Sequence, residues 1–107
     1  MTAIASSISV ERTPQSRIKT IDWNNLEFGK YISDHMLVVE YKDKQWQDMK
    51  IQPFGEMKFT PAMLSLHYGQ AVFEGMKAFK NVNGDICIFR PQKHSQRLNR
   101  SLERTRM

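Results

Sequence analysis

Apolar and polar residues alternate with a period of two from Tyr31 to Phe54, the spacing at which successive side chains leave opposite faces of a strand. The run HMLVVEY, with the β-branched pair Val38 and Val39, meets a polar turn around Lys42 to Lys44, and a second run closes on Pro53. This pattern predicts a β-hairpin. The period changes after Phe59: Thr60 can cap a helix, Pro61 suits a first helical turn, and Ser65 offers another start one turn later. Met63, Leu66, Gly69 and Phe73 then recur every three to four residues, predicting a helix that stops at a left-handed Gly75. Met76 to Lys80 and Asp85 to Phe89 predict a second hairpin, with Asn83-Gly84 supplying the positive φ angles of a tight turn. Its second strand contains ICIF, which lacks polar alternation and is expected to be covered on both faces. Pro91 opens a last helix, with Leu98 and Leu102 one turn apart. That helix runs into Met107 with neither glycine nor cap, so the chain is expected to be the front part of something longer. The order hairpin, helix, hairpin, helix describes an α+β layer.

Composition narrows this picture only slightly. A chain of 107 residues with 40% hydrophobic and 25% charged residues fits one globular domain. No apolar run approaches the ~20 residues that span a bilayer, and a membrane role is not expected. Cys87 is the only cysteine, which excludes an internal disulfide and fits a reducing, cytoplasmic setting. The net charge of +5 suggests nucleic acid until it is located. Arg90, Lys93, Arg97, Arg100, Arg104 and Arg106 face one acid, Glu103, in the last eighteen residues, whereas residues 1–89 are neutral. A nucleic-acid-binding or interaction module using the basic last helix is therefore the alternative reading, but Trp23, Trp46 and the other aromatics do not interleave with the basic cluster. Residues 1–20 are Ser/Thr-rich, with three basic residues and one acid. They are read as a flexible N-terminal arm, with a mitochondrial transit peptide as the other reading.

Metal-ligand spacing is absent, because His35, His67 and His94 stand apart without paired cysteines or an HExxH helix. His67 beside Tyr68 could form a catalytic pair, although a helical histidine is more often a satisfied polar group. Lys77 and Lys80 could form Schiff bases only in a dry pocket, and solvated strand lysines are the simpler reading. Gly69, inside the expected helix, costs ~1 kcal/mol against alanine. Either close backbone approach or tight packing would account for it. Phe28, Tyr68 and Phe73 suit a core or a pocket wall equally, the tyrosine hydroxyl favouring a wall with one polar contact.

Taken in order and spacing, FGKYISDHMLVVEY, IQPF, SLHYGQAVFEGMKAFK and IFRPQKHSQRLNRS resemble the small N-terminal domain of branched-chain amino acid aminotransferases, fold-type IV pyridoxal-phosphate enzymes. The resemblance runs from about Phe28 to the end. It implies that residues 21–107 form the small domain, with the large domain absent. It implies that Arg97, six residues after the proline of FRP, grips the phosphate of pyridoxal 5′-phosphate. A planar guanidinium suits that role by offering paired charge-assisted hydrogen bonds. It further implies that Phe28, Tyr68 and Phe73 wall the substrate side-chain pocket, with Tyr68 reaching into the partner's site of a homodimer. The implied reaction moves the amino group of leucine, isoleucine or valine to 2-oxoglutarate, as in branched-chain amino-acid biosynthesis. The Schiff-base lysine and the other catalytic groups would lie beyond Met107, so no catalytic residue and no metal ligand is expected here, and the fragment alone should be inactive.

Overall fold

The structure, a computed structural model, describes residues 7–107. The chain forms two compact units, Met1–Met57 and Lys58–Met107. The fold is α+β, with few helices and several small sheets.

In the first unit, β2 (His35–Val38) and β5 (Met49–Pro53) pair antiparallel, with His35 opposite Pro53 and Val38 opposite Lys50. Beyond a break in the ladder, the hairpin closes through β3 (Tyr41–Lys42) and β4 (Gln45–Trp46). Its two turn residues, Asp43 and Lys44, have φ of 53° and 63°. This is the left-handed pair of a type I′ turn, whose twist matches that of the flanking strands. Tyr41 and Trp46 meet edge to face across the ladder, with ring centroids 5.1 Å apart. The hairpin and its polar turn therefore stand as the alternation implied.

A third strand was not expected. β1 (Ile8–Val10) pairs in parallel with β5, Ile8 opposite Met49 and Val10 opposite Ile51, and makes β5 the central strand of a three-stranded sheet. The ladder extends through the Glu11 N–H, which donates to the Ile51 carbonyl at 2.8 Å. Farther along, the carboxylate of Asp34 accepts from the Ser16 hydroxyl at 2.6 Å and from the Arg17 N–H at 3.0 Å. These bonds hold the carboxyl of Asp34 below its usual range, the serine contact contributing most. The segment read as an N-terminal arm thus carries a strand and a hydrogen-bonded turn.

In the second unit the expected helix up to Gly75 is replaced by one turn, α1 (Leu64–His67). Thr60 and Pro61 form a turn closed by the Met63 N–H on the Thr60 carbonyl, not a capped start. The helix ends early because Gly69 has φ +62°, and the place a Cβ would occupy there is empty. Gly69 thus serves backbone conformation, and neither close approach nor tight packing explains it; the left-handed stop belongs to Gly69, not to Gly75. Residues 70–77 are irregular.

The second hairpin is present as β6 (Ala78–Lys80) and β7 (Ile86–Ile88), paired antiparallel. Of Asn83-Gly84, only Gly84 has positive φ, at +89°. The turn is instead organised by Asn81, whose side-chain carbonyl accepts from the N–H groups of Asn83 and Asp85 at 2.9 and 2.8 Å, an Asx-type arrangement. The expectation that ICIF is covered on both faces fails among the described residues: Ile86, Cys87, Ile88 and Phe89 are all exposed.

The last helix, α2 (Pro91–Arg104), begins at Pro91, after Arg90 in a left-handed conformation. Its half-buried stripe, His94, Leu98, Ser101, Leu102 and Thr105, follows the 3.6-residue period and includes the two leucines picked out by spacing. The helix does not run on to Met107. The Arg106 N–H bonds the Glu103 carbonyl and the Met107 N–H bonds the Leu102 carbonyl at 3.0 Å, with Arg106 at φ 57°. That is a Schellman cap carrying arginine where glycine is the usual choice. Among the described residues no side chain is fully buried, and no helix is long and apolar enough to cross a membrane.

Candidate functional site

The second unit holds two adjoining recesses at the start of α2. The first, of about 380 Å³, is lined by Phe89, Arg90, Lys93, His94, Arg97 and Arg100. Four of those six side chains are cationic. The spacing explains why: Lys93, Arg97 and Arg100 recur at three to four residues on α2 and so share one side of it. The left-handed Arg90 turns the chain from β7 into the helix, with its guanidinium 5.1 Å from the Phe89 ring. The positive end of the helix dipole strengthens the same field. A second recess of about 530 Å³ is mainly apolar, formed by Gly75, Met76, Lys77, Phe79, Phe89 and His94. Phe89 and His94 belong to both.

Arg97 is held from one side by Glu74. The Nε–H of Arg97 donates to Glu74 Oε2 at 2.6 Å, and its Nη2 group donates to Oε1. His94 Nδ1 lies 3.0 Å from the same Oε1; because a carboxylate only accepts, that nitrogen carries the proton. The Glu74 side chain is only 9% exposed, against 59% for Arg97. The hydrogen bonds from Arg97, and then that from His94, pull the carboxyl of Glu74 from its ordinary 4.5 down to about 2, while Glu74 in turn raises the pKa of Arg97. Gln70 fastens the other end of the irregular segment to α2 by donating from Nε2 to the Thr105 carbonyl at 2.7 Å. Residues 70–74 consequently run along the helix in the opposite direction.

Of the residues singled out from sequence, Arg97 lines the basic recess. Tyr68 terminates α1, its N–H on the Leu64 carbonyl, and its side chain is exposed. Phe73 precedes Glu74 in the irregular segment and is likewise exposed. Phe28 belongs to the first unit, in a turn beside Gly29 at φ +76°. Glu74 was missed, although one signal was available: it is the sole acid between Glu56 and Asp85. Met76, Phe79 and Phe89 were missed as walls of a recess, although FEGMKAF and ICIF displayed them. No group of three or more His, Cys, Asp or Glu that could hold a metal occurs among the described residues.

Over 87 residues, 80% of its length, the chain is 51% identical to a "Probable branched-chain-amino-acid aminotransferase" of Staphylococcus epidermidis. Over 105 residues, 97% of its length, it is 43% identical to the Staphylococcus aureus protein of the same name. The chain belongs to the branched-chain aminotransferase family. A third member, branched-chain-amino-acid aminotransferase 2 of Bacillus subtilis, shares 42% identity over 99 residues, 92% of the chain. The chain spans about a quarter of the length of these relatives: 24%, 29% and 27% respectively. No protein-family model matches it. Nothing in these aminotransferases favours the alternative of a nucleic-acid module on the basic helix.

Proposed function

We propose that this chain is the small-domain portion, residues 21–107 after an N-terminal arm, of a fold-type IV aminotransferase. The complete enzyme would act as a homodimer in the cytoplasm and move amino groups between branched-chain amino acids and 2-oxoglutarate. The observation that carries this reading is identity of 42–51% to three proteins named branched-chain aminotransferases. The cofactor would be pyridoxal 5′-phosphate, which supplies the electron sink for amino-group transfer when bound. The basic recess has the donors that its phosphate needs. Arg97 commits Nε–H and one Nη2–H to Glu74, which leaves three of its five N–H donors free. Arg90, Lys93 and Arg100 add positive charge around the same recess. Phe28, Tyr68 and Phe73 are proposed to wall the substrate side-chain pocket of the dimer. Their exposure in the isolated chain agrees with surfaces that meet further protein or substrate.

Replacing Arg97 by alanine in the complete enzyme tests the cofactor assignment. Retention of pyridoxal 5′-phosphate on dialysis, read by its visible absorbance, should fall at least about tenfold, the scale of losing a charge-assisted pair. Undiminished retention would remove Arg97 from the site.

A further inference from the structure

Glu74 has no place in the assignments above, yet it is the least exposed carboxylate in contact with a recess-lining cation. Its side chain is 9% exposed and engages two residues of α2, His94 and Arg97, from a segment with no regular structure of its own. An arginine side chain with more than half its surface exposed ordinarily samples many rotamers. Here the fork is clamped side-on, through Nε and Nη2, to a carboxylate that His94 holds from a further side.

A guanidinium has two edges that can make paired hydrogen bonds to oxygen. Glu74 occupies the Nε/Nη2 edge, and the Nη1/Nη2 end stays open. We infer that Glu74 is a positioning residue: it fixes Arg97 by one edge so that the other meets the phosphate of a phosphorylated cofactor entering the basic recess. This rests on the reading of Arg97 given under the proposed function. Glu74 also opposes anion binding, because its negative charge lies beside the cation. Positioning therefore outweighs charge only if ordering Arg97 gains more affinity than the nearby carboxylate removes. The two effects predict opposite signs for one substitution, which makes the role testable.

The measurement is the dissociation constant of the complete apoenzyme for pyridoxal 5′-phosphate and for pyridoxal, which lacks the phosphate. Four proteins are compared: wild type, Glu74→Gln, Arg97→Ala and the double variant. Positioning predicts that Glu74→Gln weakens pyridoxal phosphate about tenfold, leaves pyridoxal unchanged, and adds nothing once Arg97 is alanine. Should Glu74→Gln fail to fold, Glu74→Asp takes its place. It keeps the charge but withdraws the carboxylate by one methylene, and a smaller loss confined to pyridoxal phosphate is expected. Tighter or unchanged pyridoxal phosphate binding in the Glu74 variant, with Arg97→Ala still impaired, overturns the positioning role and leaves Arg97 in place. Equal weakening of both ligands marks a general structural role and overturns it too. If Arg97→Ala binds pyridoxal phosphate like wild type, the assignment of Arg97 falls, and the role of Glu74 falls with it.

Discussion

At the scale of single residues, Glu74 has the largest consequence for pH. Its folded-state pKa lies near 2 against an ordinary 4.5, so folding favours its charged form. The sign follows from linkage: a depressed carboxyl contributes stability that is complete above about pH 4.5 and is lost as pH falls toward 2. Asp34 acts in the same direction. Observed through its side-chain carboxyl resonance by NMR, Glu74 is expected to titrate well below pH 4, with the contacts between residues 70–74 and α2 loosening together with it. A midpoint near 4.5 would mean that the carboxylate is free of Arg97. Arg97 was singled out through the family resemblance carried by FRP and the arginine six residues after its proline, whereas its pairing with Glu74 was not. Glu74 lies 23 residues away, and no local spacing rule links a residue in an irregular segment to one on a helix face. The shortfall at Gly69 has a different cause. Apolar periodicity reports which side chains would share a face, but it is blind to a positive φ, and one left-handed residue is enough to end a helix.

Among the elements, the two hairpins and α2 were legible because their determinants are local: alternation, a polar turn, and a proline followed by leucines one turn apart. The turn types were harder to read. Asn83-Gly84 has the composition of a type I′ turn but does not form one, since Asn81 captures the loop through its side chain. Asp43-Lys44 lacks that composition and adopts both positive φ angles. Left-handed backbone costs a non-glycine residue roughly 1–2 kcal/mol, less for aspartate. Asp43→Asn with Lys44→Gly should therefore stabilise the first hairpin by about 1 kcal/mol. Hydrogen exchange at the Gln47 amide, which closes on the Glu40 carbonyl at 2.8 Å, would report it as slower exchange in the variant. Faster exchange would show that the lysine contributes more through its side chain than its backbone costs.

At the scale of the whole molecule, every large apolar side chain of the second hairpin keeps contact with solvent. A covered strand was the natural expectation for ICIF, because a continuous apolar run is the usual mark of a strand packed on both faces, but all four of its side chains are exposed. The parallel β1 is the feature that sequence patterning could least reveal, since Ile8 and Met49 are 41 positions apart and parallel partners share no turn. Its position also carries a hazard. β5 is central only while β1 lies against it; a chain shortened to begin at Glu11 would turn β5 into an unpaired border with free amide and carbonyl groups. Such a protein should self-associate in light scattering at concentrations where the longer form stays dispersed, and equal scattering from both would show that the border is protected in another way. Proteolytic nicking or a poorly chosen start codon would then register as precipitation.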